Sequence, residues 1–226
     1  MMESNLAPRT NWTTRMRKLW ISIWILLVAG CVSIPESEML DSIPAIDRAA
    51  YQRHQQQLDS VDSWRLQGQI ALFNLRDDSR DAVYIDWRWT PTTTSMRFSH
   101  PLKGTLARLE QTTAGAVLID EDQNEYRAAT MTTLLQTYFG ISIPVDALPG
   151  VVLGRLPQRA ENITVVRPST IDDVVVLSSY KVIADEEPWQ AELSLFTAVN
   201  TIYVPSSIEI NATDWRIKLR ITDWSL

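Results

Sequence analysis

Apolar and polar residues alternate along most of the chain beyond residue 60, and this alternation predicts a β-sheet with one apolar face. The cleanest stretch is 215–221, where tryptophan, isoleucine or leucine occupies every odd position and arginine or lysine every even one. Similar alternation marks residues 64–72, 82–89 and 96–99. A period of two is typical of antiparallel strands that pack one face and expose the other. We predict further strands at 105–112, 115–120, 124–128, 173–183, 190–197 and 206–211, with turns at Pro91, 120–124 and 187–188.

Two segments show helical spacing instead. In residues 45–60, apolar side chains recur about every 3.6 positions. His54 falls on that apolar face, and we interpret it as a packed helix residue and not as a catalytic one. Thr130 is a suitable N-terminal cap for a second helix, and Gly140 is a suitable stop.

A third, short helix is predicted over residues 144–153, where Pro149 and Gly150 should break or kink it. The pattern therefore predicts a mainly β domain with two or three helices. Its apolar sheet face must be covered by those helices, by a ligand or by both. A curved sheet of many strands with few helices is well suited to hold a lipid.

Composition narrows the functional classes. The formal net charge is −6, and residues 1–30 hold four basic groups and one acid, so the remainder has 17 basic and 26 acidic residues, a net charge of −9. Nucleic-acid binding depends on basic patches, so we do not expect a nucleic-acid partner. With one cysteine and two histidines, neither an internal disulfide nor a metal site is expected, and nothing indicates a cofactor.

Motifs of enzyme active sites are missing from the sequence. There is no Gly-x-Ser-x-Gly elbow, no Gly-rich phosphate loop and no His-Glu-x-x-His pair. The adjacent acids Asp120, Glu121 and Asp122 are best interpreted as a solvated hairpin tip. The sequence therefore favours a protein that is not an enzyme, although residues that meet only in the fold could still form an active site.

The N-terminal residues are typical of an export signal with a lipid anchor. Basic residues at 15–18 precede an apolar run at 19–28, which is shorter than the ~20 residues that span a bilayer as a helix. Two small residues and Cys31 follow, and this Val-Ala-Gly-Cys sequence resembles the bacterial lipobox, whose cysteine receives a diacylglyceryl group. The alternative is an uncleaved membrane anchor with an incidental cysteine. We predict a signal peptide over residues 1–30, with Met16 as an alternative start.

The residue after the cysteine bears on the destination of the protein. In bacterial lipoproteins an aspartate at that position usually retains the protein at the inner membrane, and here the residue is Val32. By this resemblance we expect delivery to the outer membrane, where several acyl chains anchor a protein more stably than one. Residues 31–43 are then a lipidated tether, and residues 44–226 form a single folded domain.

Several short segments between residues 50 and 226 carry a family resemblance through their order and spacing. The most specific is the turn that contains His100, Pro101, Leu102 and Gly104. The other segments are 51–56 (YQRHQQ), 64–71 (WRLQGQIA), 84–89 (YIDWRW), 153–157 (LGRLP), 205–210 (PSSIEI) and 216–224 (RIKLRITDW). Together with the lipobox, these segments resemble the outer-membrane receptor family of the lipoprotein localisation system, LolB.

This resemblance implies both a fold and a function. The fold is an incomplete antiparallel β-barrel of about eleven strands, with helices over its concave hydrophobic face. The function is to accept lipoproteins from the periplasmic carrier LolA and to insert them into the inner leaflet of the outer membrane. The receptor is lipid-anchored, faces the periplasm, acts as a monomer and uses no nucleotide at this step.

The chain also departs from the family pattern. His100 stands where the family often has asparagine, and Lys103 separates Leu102 from Gly104, so the turn should differ in detail. Pro149 falls where an unbroken helix is expected. The acidic body does not favour contact with an acidic carrier, although the basic residues of 216–220 could serve.

We expect the acyl chains of the cargo to lie against apolar sheet and helix residues, although any of these could equally be plain core. Leu102 is the candidate for membrane insertion, because a leucine in this turn has little core to pack against, and Lys103 beside it could meet lipid phosphates. The alternative is that Leu102 folds back on the sheet. The candidate acyl-binding residues are Leu66, Ile70, Trp87, Trp89, Phe98, Leu134, Leu135, Ile217 and Leu219.

Three rival interpretations remain at this point. A lipoprotein of similar half-barrel fold could bind a lipid or glycolipid in the outer membrane instead of lipoproteins. An envelope scaffold would have a filled core and no ligand. An enzyme would need a constellation that sequence alone does not reveal.

Overall fold

The computed structural model describes residues 43–140, 145–169, 173–184 and 187–226. The predicted signal peptide, Cys31 and the tether up to residue 42 lie outside the described residues. Ile43, the last residue of the predicted tether, is buried in the core, with 1% of its surface exposed.

The described residues form one antiparallel sheet of eleven strands, in the order β6-β5-β4-β3-β2-β1-β11-β10-β9-β8-β7. Strands β1 and β11 pair along most of their lengths, which joins the two halves of the sheet. Strands β6 and β7 are the two edges, so the sheet stays open, and the predicted incomplete barrel is confirmed. In chain order, the strands β1 to β11 are Trp64–Asn74, Ser79–Trp89, Thr94–His100, Gly104–Thr112, Gly115–Asp120, Glu125–Ala128, Glu161–Val166, Val176–Ala184, Glu187–Val199, Ile202–Asn211 and Trp215–Ser225.

Three α-helices pack on this sheet. They are α1 (Ala45–Asp59), α2 (Met131–Phe139) and α3 (Leu148–Leu153), and the 3₁₀ turn Val145–Ala147 leads into α3. Helix α1 lies against β8 and β10, whereas α2 lies against β4, β5 and β6. The helices therefore cover the apolar face of both halves of the sheet.

Helix α2 begins and ends as its sequence predicts. The Thr130 hydroxyl accepts a hydrogen bond of 3.1 Å from the backbone N–H of Thr133, which satisfies a donor that has no partner within the helix. Gly140 ends the helix in the left-handed conformation, with φ of 66°, and its N–H donates to the Gln136 carbonyl at 3.2 Å.

The predicted break at Pro149 and Gly150 is wrong. Both residues lie inside α3, which ends at Leu153 with Gly154 as its C-terminal cap. Pro149 stands in the first turn of this helix, where a backbone N–H would have no helical partner, so the proline costs no hydrogen bond there.

Strand β7 was not expected from the sequence, and the predicted turn at 187–188 is wrong. Burial does not alternate cleanly along Glu161–Val166, where only Ile163 is fully buried. Pro188 is the second residue of β9, which begins at Glu187. Proline is tolerated near the start of a strand because few ladder bonds are lost there.

Polar contacts join α1 to strand β10 and to the segment that follows α3. His54 Nε2 donates to the Tyr203 carbonyl at 2.8 Å, and the Gln55 amide donates to the Gly154 carbonyl at 3.1 Å. The Arg155 guanidinium donates to the Leu58 and Val61 carbonyls at 2.6 and 2.9 Å. A cation at the C-terminal end of α1 satisfies carbonyls that the helix leaves open.

Four tryptophans close one end of the core. The Trp64 ring lies 5.1 Å from Trp87 and 5.6 Å from Trp224 in edge-to-face contacts, and it stacks on Trp89 at 6.1 Å. Such aromatic contacts add stability beyond the area they bury. The Arg155 guanidinium lies 5.8 Å from the Trp89 ring centroid, which connects this cluster to α1.

Candidate functional site

An apolar cavity of about 330 Å³ lies between the sheet and the helices. This volume is at the lower end of the range for ligand pockets, about 300–1,000 Å³. Every lining residue except Asp81 is apolar. The lining residues are Ile70, Leu72, Asp81, Val83, Ile85, Trp87, Met96, Phe98, Leu106, Leu109, Leu118, Leu135, Val145, Leu148 and Ile217.

The cavity has a sheet wall and a helical wall. The strands β1 to β5 and β11 form the sheet wall through the apolar side of their alternation. Leu135 of α2, Val145 of the 3₁₀ turn and Leu148 of α3 form the helical wall. Leu135 and Leu148 are only partly buried, as are Ile70, Leu72 and Phe98 of the sheet wall.

Five of the nine candidate acyl-binding residues line this cavity. They are Ile70, Trp87, Phe98, Leu135 and Ile217. The sheet and α2 therefore bring together residues that are up to 147 positions apart in sequence.

The other four candidates lie elsewhere in the core. Leu66 and Leu134 have no exposed surface, and neither lines the cavity. Trp89 stacks on Trp64 in the tryptophan cluster. Leu219 is paired with Ile70 of β1 and Ile208 of β10, with 5% of its surface exposed.

Sequence reasoning missed several lining residues for different reasons. Val83 and Ile85 share the face of Trp87, so the alternation of β2 could have identified them. Leu106 could not be found this way. Phe98 pairs with Ala107 and Ser99 with Thr105, so Leu106 is the extra residue of a β-bulge, which turns its side chain to the cavity.

Asp81 marks the place where the cavity reaches the surface. Its side chain is exposed, and its strand neighbour across the sheet is Leu72. A carboxylate at the rim keeps its hydration, whereas the apolar interior offers nothing to a polar ligand. The site therefore suits an alkyl chain with a polar group outside.

Leu102 lies in the turn between β3 and β4 with 91% of its surface exposed. Its backbone N–H donates to His100 Nδ1 at 3.2 Å. Gly104 begins β4 with φ of 80°, a conformation that glycine adopts without strain. The strands on either side supply Phe98 and Leu106 to the cavity, so the turn extends directly from the cavity wall.

Several charged residues with shifted pKa values form ion pairs away from the cavity. The Arg65 guanidinium lies 2.6 Å from the Asp86 carboxylate and lowers its pKa. Asp86 alternates with Ile85 and Trp87 along β2, so its side chain lies on the face of the sheet opposite the cavity. Burial lowers the pKa of His54 and raises that of Tyr180. Within the described ranges, no cluster of three potential metal ligands occurs.

The three helices of the described chain are too short or too polar to cross a membrane.

Comparison with known proteins gives sequence matches over most of the chain. Residues 62–224 match the family model described as "Outer membrane lipoprotein LolB". The outer-membrane lipoprotein LolB of Pseudomonas savastanoi pv. phaseolicola is 27% identical over 209 residues, which covers 92% of this chain and 96% of that protein. LolB of Vibrio cholerae is 25% identical over 206 residues, with 89% and 92% covered. A solved LolA superfamily protein from Nitrosomonas europaea superposes with a TM-score of 0.44 at 11% identity, over 78% of this chain and 93% of that one.

Proposed function

Because the chain belongs to the family of the outer membrane lipoprotein LolB and serves lipoprotein localisation at the outer membrane, we propose that it accepts lipoproteins from the periplasmic carrier LolA. It then inserts them into the inner leaflet of the outer membrane. The observation that carries this proposal is the apolar cavity between sheet and helices, with its single charged residue, Asp81, at the rim.

The physical need for such a cavity follows from the cargo. Each buried methylene contributes about 0.8 kcal/mol, so exposing one ~16-carbon acyl chain to water costs on the order of 10 kcal/mol. Acyl chains must therefore pass from one apolar surface directly to another. Ile70, Trp87, Phe98, Leu135 and Ile217 are the residues that we propose to contact them.

The transfer needs no nucleotide if each acceptor binds the acyl chains more tightly than the donor before it. The receptor must bind them more tightly than the carrier, and the bilayer more tightly than the receptor. At about 330 Å³ the cavity is closer to the size of one chain than of several, so we propose that the lipid is held only in part. Partial shelter favours release to the membrane.

Membrane insertion is the proposed role of Leu102. An exposed leucine at the tip of the turn, beside Pro101 and Lys103, can enter the acyl region while the lysine stays among phosphates. Since β3 and β4 also supply cavity residues, acyl chains that leave the cavity along these strands would meet the bilayer near this turn. We further propose that acylated Cys31 anchors the chain, so that the domain faces the periplasm.

The second candidate function is binding of a lipid or glycolipid by an outer-membrane lipoprotein. The cavity would suit one alkyl chain of either ligand. Depletion of the protein from its bacterium separates the two. We expect outer-membrane lipoproteins to accumulate in the periplasm in complex with their carrier, and the wild-type chain to restore their location. Normal location of lipoproteins after depletion would favour the lipid or glycolipid ligand.

A further inference from the structure

A second depression, of about 390 Å³, lies on the face of the sheet opposite the cavity. We call it the outer groove. It runs across β1, β2 and β11 and ends at His100 and Pro101, directly before Leu102. Its charged lining residues are Arg80, Lys218 and Arg220.

The groove exists because short side chains meet across neighbouring strands. Ala71 of β1 pairs with Ala82 of β2 on one side and with Lys218 of β11 on the other. Ser207 of β10 pairs with Arg220. The small residues leave a low floor, and the long cationic side chains rise from its edges.

The groove has more positive charge than its neighbours neutralise. Lys218 Nζ lies 2.8 Å from a Glu209 carboxylate oxygen. The Arg80 guanidinium lies 5.2 Å from the Phe73 ring centroid, and it forms no ion pair with an acid of the described residues. Arg220 is exposed, and its cross-strand partners are Gln69 and Ser207, so within the described ranges it has no ion pair.

Acidic residues occupy the other turns at the same end of the sheet. In an antiparallel sheet, the turns after β1, β3, β5 and β10 share one end. Asp77 and Asp78 lie in the first of these turns, and Glu121 and Asp122 lie in the third. Asp214 lies in the fourth turn, where it forms an ion pair with Arg76 of the first turn. If the domain met the membrane through all four turns, these carboxylates would face the lipid headgroups. An anionic membrane surface would repel them.

We propose that the outer groove binds the phosphate groups of membrane phospholipids, with preference for anionic ones, while Leu102 enters the bilayer. The domain then lies tilted, with the outer face of β1, β2 and β11 towards the membrane. This inference rests on the proposed membrane contact of Leu102. Continuity of the groove with that turn favours a lipid over an acidic protein, and phosphate is the group that lysine and arginine bind best at a membrane surface.

Quenching by nitroxide-labelled headgroups tests the orientation. The lipidated protein is reconstituted in vesicles of phosphatidylethanolamine with phosphatidylglycerol, with a fluorophore on one introduced cysteine. The label replaces Leu102, Tyr84 at the groove edge, or Ser95 near the opposite end of β3. The chain without an introduced cysteine must take up no label, because acylated Cys31 has no free thiol.

We expect strong quenching at positions 102 and 84 and little at position 95. In the variant with Arg80→Gln, Lys218→Gln and Arg220→Gln, quenching at position 84 should fall to the level of position 95. The matched variant with Arg88→Gln, Arg97→Gln and Arg108→Gln loses the same amount of positive charge at the other end of the outer face. Quenching at position 84 should remain strong in this variant. Arg220→Gln alone, which breaks no ion pair among the described residues, should give a partial loss.

The outcomes separate the inference from the proposed function. Quenching at position 102 without quenching at position 84 would overturn the groove and leave the Leu102 proposal standing. Quenching at neither position would overturn both. An equal loss of quenching at position 84 in the two triple variants would show that phosphate binding in the groove does not cause that quenching. No loss of quenching in the groove variant would show the same.

Discussion

The backbone N–H of Leu102 donates a hydrogen bond to Nδ1 of His100 across the β3–β4 turn, at 3.2 Å. This is the bond that an asparagine side-chain oxygen makes to the N–H two residues later. His100 therefore supplies the acceptor that an asparagine side chain would supply at this position. The bond fixes the turn in the conformation that leaves Leu102 91% exposed.

A first prediction concerns this bond. His100→Ala removes the acceptor and should release the turn, whereas His100→Asn should keep it. One hydrogen bond of about 1 kcal/mol corresponds to about a fivefold change in the population of the ordered turn. We expect the rate of lipoprotein transfer to vesicles to fall about fivefold in the alanine variant. Equal rates in both variants would contradict a role for the bond.

A second prediction concerns Leu102 itself. Leu102→Glu should fold and bind a lipoprotein, because the side chain packs against nothing, yet it should fail to deposit the lipoprotein in a membrane. A glutamate would bring a charge into the acyl region, where it is strongly disfavoured. Binding of lipoprotein from LolA and its transfer to vesicles, measured separately, check this.

The matched control is Leu195→Glu, which places the same charge at another exposed leucine, on β9. It should transfer lipoprotein normally. Normal deposition by Leu102→Glu would remove the basis for membrane insertion at this turn.

A third prediction tests the cavity. Leu135→Trp, on the helical wall, should fill part of the 330 Å³ with indole and weaken lipoprotein binding with little loss of stability. Gln136→Trp adds the same ring on the exposed side of α2 and is the control. Binding of lipidated and unlipidated forms of one cargo checks the result. If Leu135→Trp binds lipidated cargo as wild type does, the acyl chains lie elsewhere.

Strand alternation explains what the sequence could predict about the site. A period of two gives the face of each strand residue, and the seven acyl-binding candidates that lie on strands are apolar positions turned away from the polar side. The alternation does not show whether a residue on the apolar face is fully packed in the core or lines the cavity. Leu66 and Ile70 occupy the same face of β1, four residues apart, but Leu66 has no exposed surface and Ile70 lines the cavity. Depth depends on which helix covers each point of the sheet.

Local exceptions to regular structure account for the remaining differences. Leu106 reaches the cavity because a bulge shifts the register of β4, and no residue pattern marks that bulge. Pro149 is a helix breaker at an interior position but not in the first turn, so its effect depends on where α3 begins. The groove cations lie far apart in sequence, and only the pairing of β1 with β11 brings Arg80 and Arg220 to one groove.

A fourth prediction concerns His54 and pH. With Nε2–H donated to the Tyr203 carbonyl, a second proton must go to Nδ1, which is buried and has no hydrogen-bond partner among the described residues. Burial lowers the pKa of His54 below its usual 6.5, despite the opposing effect of the Tyr203 bond. The unfolded chain therefore binds more protons below pH 6.5, and the free energy of unfolding should fall as pH is lowered from there.

The decrease can be at most about 1.4 kcal/mol per pH unit, and it ends once the folded-state pKa of His54 is passed. Urea unfolding at pH 7.5 and 5.5 measures it. His54→Gln is the control, since its amide can still donate to Tyr203 but does not titrate, and it should remove this part of the pH dependence. Carboxylates with lowered pKa values, such as Asp86, contribute in the same direction only in more acidic solution. An unchanged slope in His54→Gln, or higher stability at pH 5.5, would assign the pH dependence to other groups.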